Sequence, residues 1–307
     1  EDAGVTWSEK QTIFSALEYG ASYPVIAASG ENVYVFYFRN TPGEQQIFLV
    51  KSDDGGETFG NEEQISTIDN GAQTPQAVAV EGKVFLVYEA RDSNYNYQIA
   101  FKKSTDAGDT WSETAFLTDT EMPSRWCNIT YDEGNTFVSY NEQTGEEYDQ
   151  LDIFFTKSDD DGETWTTPVN VSENQDYNAR LSTFVLDSSV YITSSSKVNG
   201  IQSDIRLYRS DDLGNTWEDP MLITDNSGDN SRPDIWVTGN GTNEHRIYIF
   251  YSDGTYTDYE NAYLKYSIDN GNNWSEHIQV SQDTEDGAWP QLVGQQGEGE
   301  DELYFVW

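Results

Sequence analysis

Short apolar runs separated by polar turn residues fill this chain. Pro24-Val25-Ile26-Ala27, Val33-Tyr34-Val35-Phe36-Tyr37 and Ile47-Phe48-Leu49-Val50 come first, set between Gly, Asn, Asp and Ser. Short β-branched and aromatic runs bounded by turn formers predict strands. No stretch repeats its apolar positions at the 3.6-residue spacing of a helix. The third run leads into Ser-x-Asp-x-Gly-x-Thr-Trp, seen as Ser52 to Phe59, Ser104 to Trp111, Ser158 to Trp165, Ser210 to Trp217 and Ser267 to Trp274. A partial copy, Asp2 to Trp7, opens the chain. Its aspartates, Asp2, Asp54, Asp106, Asp160, Asp212 and Asp269, are 52, 52, 54, 52 and 57 residues apart.

A fixed period of this size means stacked or radial supersecondary units. Four strands in about 50 residues is the size of a propeller blade. The expected fold is therefore all-β: one domain over residues 1–307, a six-bladed β-propeller with four-stranded antiparallel blades. The chain begins inside a signature. It ends on Trp289-Pro290-Gln291-Leu292-Val293 and Leu303-Tyr304-Phe305-Val306-Trp307, which match strands one and two. Both chain ends are thus expected to close the last blade, which lacks its third strand. An open slot of that kind exposes unpaired backbone, and a longer parent chain or a strand-donating neighbour would fill it.

The signature lies between strands three and four. Its Asp accepts bonds from nearby backbone N–H groups, and its Gly takes positive φ. The Thr and Trp open strand four, where the ring can pack between blades. The six aspartates are read as structural staples, because a catalytic acid is not needed six times. The signature resembles the Asp box, or BNR repeat, of sialidase-like propellers. Phe59 stands in the Trp position and Asn273 in the Thr position. The resemblance implies the propeller fold over nearly the whole chain. It leaves the activity open, since such propellers include sialidases, other glycosidases, receptors and non-enzymatic surface proteins.

Composition narrows the partners. Asp and Glu number 55 against 16 Lys and Arg, a net charge of −39. That field excludes nucleic acid, which needs a basic footprint, and disfavours anionic membranes. It predicts a halophilic or marine setting in which ions screen self-repulsion. No apolar stretch is long enough to span a membrane. Cys127 is alone, in an apolar run, and is expected to be buried. Sequons at Asn128, Asn170, Asn240 and Asn273 support an exported, extracellular or cell-surface glycoprotein. With two His and one Cys there is no transition-metal constellation. Ca²⁺ is the one plausible ion, in the oxygen-rich loops Asp225 to Asn230 and Asp283 to Gly287.

Ligands of a propeller meet the channel mouth, where strands one begin and strands two end. Five of the eight arginines map there: Arg125, Arg180 and Arg232 at strand-one starts, and Arg39 and Arg91 at strand-two ends. Guanidinium forks bind carboxylates bidentately. The resemblance implies that a sialidase would use three such arginines on a sugar carboxylate, with a Tyr–Glu nucleophile pair and an Asp acid/base. Tyr251, Glu89 and Asp92 are the catalytic candidates on that reading, but the family's Arg-Ile-Pro element is absent: Ser22-Tyr23-Pro24 stands in its place. The alternative is that each arginine pairs with a local acid. The expected function is a non-catalytic binding or assembly module for a glycan or protein, with exposed aromatics such as Tyr177, Trp126 or Trp289 at the mouth. A sialidase-like hydrolase of acidic sugars and a surface-layer subunit are the alternatives.

Overall fold

The computed structural model describes residues 9, 11–13, 20–145, 150–173, 177–198, 202–224, 228–239, 244–254, 260–281, 289–295 and 301–306. All regular structure among them is strand. The first repeat is β1 (Ala21–Ser29), β2 (Asn32–Asn40), β3 (Gln45–Ser52) and β4 (Glu63–Gln64), and the second is β5 (Ala72–Val80), β6 (Lys83–Arg91), β7 (Tyr97–Ser104) and β8 (Ala115–Phe116). The third is β9 (Ser124–Asp132), β10 (Asn135–Gln143), β11 (Leu151–Ser158) and β12 (Val169–Asn170). The fourth is β13 (Tyr177–Leu186), β14 (Ser189–Val198), β15 (Gln202–Ser210) and β16 (Met221–Leu222). The fifth is β17 (Asn230–Gly239), β18 (His245–Asp253), β19 (Asn261–Ser267) and β20 (Ile278–Gln279), followed by β21 (Gln291–Gln295) and β22 (Glu302–Val306).

Within each complete repeat the strands pair antiparallel in chain order, and the fourth contributes only two residues of ladder. One parallel bridge, Leu151 to Tyr177, joins the third and fourth repeats into an eight-stranded sheet. The expected closed sixth blade is not what the described residues show. There β21 and β22 form a two-stranded sheet, and the first signature, with Asp2, lies outside the described residues.

The chain divides into two compact units. One holds residues 1–131, 136–140 and 158–165, and the other 132–135, 141–157 and 166–307. In each unit the core lies between successive sheets. In the first, Tyr34, Phe36, Ile47 and Leu49 pack with Val84, Leu86 and Tyr88. In the second, Tyr191, Ile205 and Leu207 pack with Ile235, Ile247 and Ile249.

The signatures join these layers. In the copy at Asp54, Ser52 Oγ donates to Asp54 Oδ1 at 2.7 Å and accepts from Gly56 N–H at 2.9 Å. Thr58 N–H donates to Oδ1 at 2.8 Å and Thr58 Oγ1 to Oδ2 at 2.6 Å. The Thr hydroxyl, then the Thr N–H and the Ser hydroxyl, hold Asp54, Asp106, Asp160 and Asp212 down to about 2. In the last copy Asn273 Nδ2 replaces the Thr hydroxyl at 2.6 Å, and the Asp269 carboxyl is still lowered. The box Trp meets an aromatic of the preceding repeat edge-on: Trp111 on Phe36, Trp165 on Phe101 and Trp217 on Phe155, at centroid distances of 5.8, 5.1 and 5.3 Å. The box Gly combines positive φ with close approach, since a Cβ at Gly162 would stand 2.5 Å from the Phe101 ring.

Four of the scarce cations serve these joints. Each immediately precedes a box Ser and reaches the next repeat's box. Lys51 Nζ is 3.1 Å from Asp109 and Lys103 Nζ is 2.7 Å from Glu163. Lys157 donates to Leu213 O at 2.9 Å, and Arg209 to Asn270 O at 3.1 Å.

Candidate functional site: the bulged ends of the first strands

In each complete repeat the box Ser pairs near the start of the second strand, as Ser52 with Val33 and Ser210 with Val190. The other end of the sheet is where the first strand begins, as Ala21 opposite Arg39. Arg39, Arg91, Arg125, Arg180 and Arg232 therefore lie at the ends of their sheets away from the boxes.

A recurrent bulge shapes that end. The register slips between Ser22 and Val25, Gln73 and Gln76, Ala179 and Ser182, and Ser231 and Asp234. At each slip a residue with a Cβ takes a left-handed conformation: Tyr23 (φ 52°), Thr74 (48°), Arg180 (54°) and Arg232 (53°). Trp126 (50°) and Trp289 (65°) do the same at the corresponding points of the third and last repeats. Left-handed φ costs a residue with a side chain about 1–2 kcal/mol, and such strain and bulging re-aim side chains next to functional sites. The turn is braced from the preceding repeat. Trp126 N–H donates to Glu89 Oε1 at 2.8 Å, and Arg232 N–H to Ser195 Oγ at 3.0 Å. Four of these residues precede proline, at Pro24, Pro75, Pro233 and Pro290. That recurring X-Pro phase is the sequence signal that could have located the bulges.

In the second unit two bulge arginines converge on a bulge tryptophan. The guanidinium carbons of Arg180 and Arg232 lie 4.7 and 4.6 Å from the Trp289 ring centroid, and Trp289 is 52% exposed. Arg232 Nη1 also pairs with Glu260, a partner that no sequence motif marks, and its buried Nε has no hydrogen-bond partner among the described residues. Asp234, two residues on, accepts from Ser182 Oγ and Leu292 N–H, both at 2.7 Å, and burial raises its carboxyl.

In the first unit, Arg91 and Arg125 lie 4.7 and 4.4 Å from the Tyr97 ring, and Arg125 is 5.1 Å from Trp126. Arg125 Nε donates to Glu89 at 3.2 Å. Arg39 is held by Glu62 through Nε at 3.1 Å and Nη2 at 2.7 Å, and lies over Phe48 at 4.0 Å. Tyr23, exposed, stacks on Phe38 at 5.6 Å.

The three catalytic candidates are engaged elsewhere. Tyr251 is fully buried, its hydroxyl 2.8 Å from His277 Nδ1, and burial raises its phenol strongly. Glu89 is fully buried and accepts from Arg125, Trp126 N–H and Gln73, so it braces a bulge. Asp92 Oδ1 closes its own loop on Asn94 and Asn96 N–H at 2.7 and 2.9 Å. Tyr251 and Glu89 are thus buried and committed to these partners, whereas Asp92 lines an open groove. Tyr177 carries Lys197 over its ring at 5.7 Å.

Of the sequons, Asn128 lies half-buried in β9 and Asn170 spends its side chain on Asp152, Ser172 and Glu173. Asn273 is exposed within its box, and Asn240 lies outside the described residues. Cys127 is buried, which raises its thiol. Among the described residues no group of three or more His, Cys, Asp or Glu is placed to hold a metal. Most of the two oxygen-rich loops, 225–227 and 282–288, lies outside the described residues. Among the described residues no helix is long and apolar enough to cross a membrane.

A BNR repeat-like domain model matches residues 1–153. With the repeated Ser–Asp–Thr geometry, that match decides the family resemblance. The chain is built of Asp-box repeats, and over residues 1–153 it is similar to the BNR repeat-like domain. No curated protein matches it. Solved structures that share the fold include a protein of unknown function from Dyadobacter fermentans, at 14% identity and TM-score 0.67, covering 92% of this chain and 89% of that one. An α-L-arabinanase from Penicillium chrysogenum, complexed with arabinobiose, is similar at 14% identity and TM-score 0.63, covering 91% and 86%. The Hadza microbial sialidase Hz136 is similar at 16% identity and TM-score 0.60, covering 89% of this Asp-box chain and 60% of the sialidase. At these identities the likeness is one of fold, all-β and of the β-propeller type.

Proposed function

We propose that this Asp-box chain is an extracellular glycan-recognition module whose bulged strand ends bind carboxylate-bearing sugars. The observation that carries the reading is the pair of guanidinium groups set on one exposed indole, Arg180 and Arg232 on Trp289. Stacking on the ring fixes the plane of each guanidinium, and Arg232 already holds one carboxylate, that of Glu260, through Nη1. Desolvation beside the ring strengthens such charge-assisted bonds. Binding rather than turnover is favoured because Tyr251 and Glu89 are buried and committed to other partners. In this reading the repeats are the blades of a six-bladed propeller.

A glycoside hydrolase is the second reading. Fold neighbours described as sialidases, an arabinanase and an α-L-arabinofuranosidase favour it. Titration calorimetry with sialic- and uronic-acid oligosaccharides tests the first reading, and a fluorogenic sialoside assay tests the second. Binding weakened at least about tenfold by Arg180→Ala and by Trp289→Ala, without turnover, supports the module. Absence of binding to every acidic sugar in both low and molar salt sinks it, and turnover lost in Arg232→Ala establishes the hydrolase.

A further inference from the structure

The first unit contains a concave site at the outer margin of its first two repeats. A groove of about 640 Å³ runs between the segment after β4, the end of β6 and the β8 margin. That is within the volume range of small-molecule sites. Its base and walls are fixed. Gln98 is buried and tied to Thr118 Oγ1 at 2.7 Å and Thr120 O at 2.8 Å, while Asn70 Nδ2 holds Asp92 O at 2.6 Å.

The groups facing the opening have a different character. Phe116 is 47% exposed, although a ring of its size would ordinarily be covered. The carboxylates of Asp69 and Asp119, both exposed, make no hydrogen bond to the described residues. Arg91 lines the same groove, its face on Tyr97 and one Nη on the Tyr97 hydroxyl, with no acid paired to it among the described residues.

We propose that this groove binds a neutral oligosaccharide of two or three sugar units. An exposed aromatic ring accepts the apolar C–H face of a pyranose. Ionised carboxylates accept from pairs of adjacent hydroxyls, and a guanidinium edge donates to hydroxyl or ring oxygens. With Asp69, Asp92 and Asp119 against Arg91, the groove repels an acidic sugar, so its ligand differs in charge class from that of the Trp289 cluster. The groove and its ligand are independent of the function proposed for that cluster.

The test uses the whole chain in molar NaCl. Neutral di- and trisaccharides of glucose, galactose, mannose and xylose are titrated and followed by ¹H saturation-transfer difference and calorimetry. Binding of at least one neutral sugar is expected. Phe116→Ala and Asp119→Asn are each expected to weaken it at least about tenfold, while Arg180→Ala leaves it unchanged. Both groove variants are surface changes, so retained melting temperatures establish that folding is intact. No saturation transfer from any neutral sugar overturns the proposal. So does binding insensitive to both groove variants, or a groove whose only response is to added Ca²⁺.

Discussion

Thr74 carries two costs at once. It is β-branched at φ 48°, and its buried hydroxyl has no hydrogen-bond partner among the described residues. Left-handed strain and an unpaired buried hydroxyl are each worth about 1–2 kcal/mol, and glycine's greater unfolded-state freedom offsets part of their relief. Thr74→Gly is therefore expected to raise stability by about 1 kcal/mol, read from the urea midpoint at constant slope. A lower midpoint would mean that the hydroxyl supports the bulge. Asp132 makes a prediction of opposite chemical character. Burial, then the Glu133 and Asp187 carboxylates, push it up to about 6. A carboxyl raised in the folded state stabilises most while protonated. Its contribution is present below about pH 4 and is lost as pH rises through about 6. Melting curves of the wild type and Asp132→Asn should diverge between about pH 4 and pH 6, the window of this shift, with the wild type losing stability as pH rises. Parallel curves would refute the assignment.

At the scale of the element, the box and the basic residue before it act as one joint. The lowered box aspartates have the reverse pH sign. Their stabilisation is present above the ordinary carboxylate range and is lost as pH falls through about 2. Acid unfolding should therefore steepen between about pH 4 and pH 2, and a transition complete above pH 4 would contradict it. Lys103 bonds both the Asp161 carbonyl and the Glu163 carboxylate. Lys103→Met removes a charge-assisted bond to a carbonyl while keeping the apolar stem. A loss of about 1–2 kcal/mol is expected in urea unfolding, against less than about 0.5 kcal/mol for Lys197→Met. Equal effects would show that charge count, rather than the joint, matters. The boxes were legible in the sequence because every partner in them lies within a few residues. The bulges were not: their left-handed turns depend on bracing by Glu89 and Ser195 from the preceding repeat. Local propensity points the other way, since a residue before proline is driven toward extended conformations.

For the whole molecule, self-repulsion is the main force opposing the fold that solvent conditions can change. At −39, repulsion between carboxylates is screened over about 10 Å at 0.1 M salt and about 3 Å at 1 M. Thermal midpoints are expected to climb from low salt to molar NaCl or to millimolar Ca²⁺. An unchanged midpoint would mean that local pairs such as Arg39–Glu62 and Lys83–Asp161 already neutralise the field.

The sequence by itself determined the repeat, its period, the order of strands within it and the chemistry of each box, because these rest on short-range turn geometry and two-residue alternation. It also placed the arginines at the correct ends of their sheets. Only the tertiary structure decided which of them meet and what they meet. Arg180 and Arg232 are 52 residues apart in the chain yet share one indole, while Arg39, Arg125 and Arg232 pair with Glu62, Glu89 and Glu260. Tyr251, at the right height on its strand to face a ligand, turns instead into the core beside His277. Strand periodicity fixes alternation between the two faces of a sheet. Which face is covered, and by which neighbour, depends on the packing of repeats about 50 residues apart.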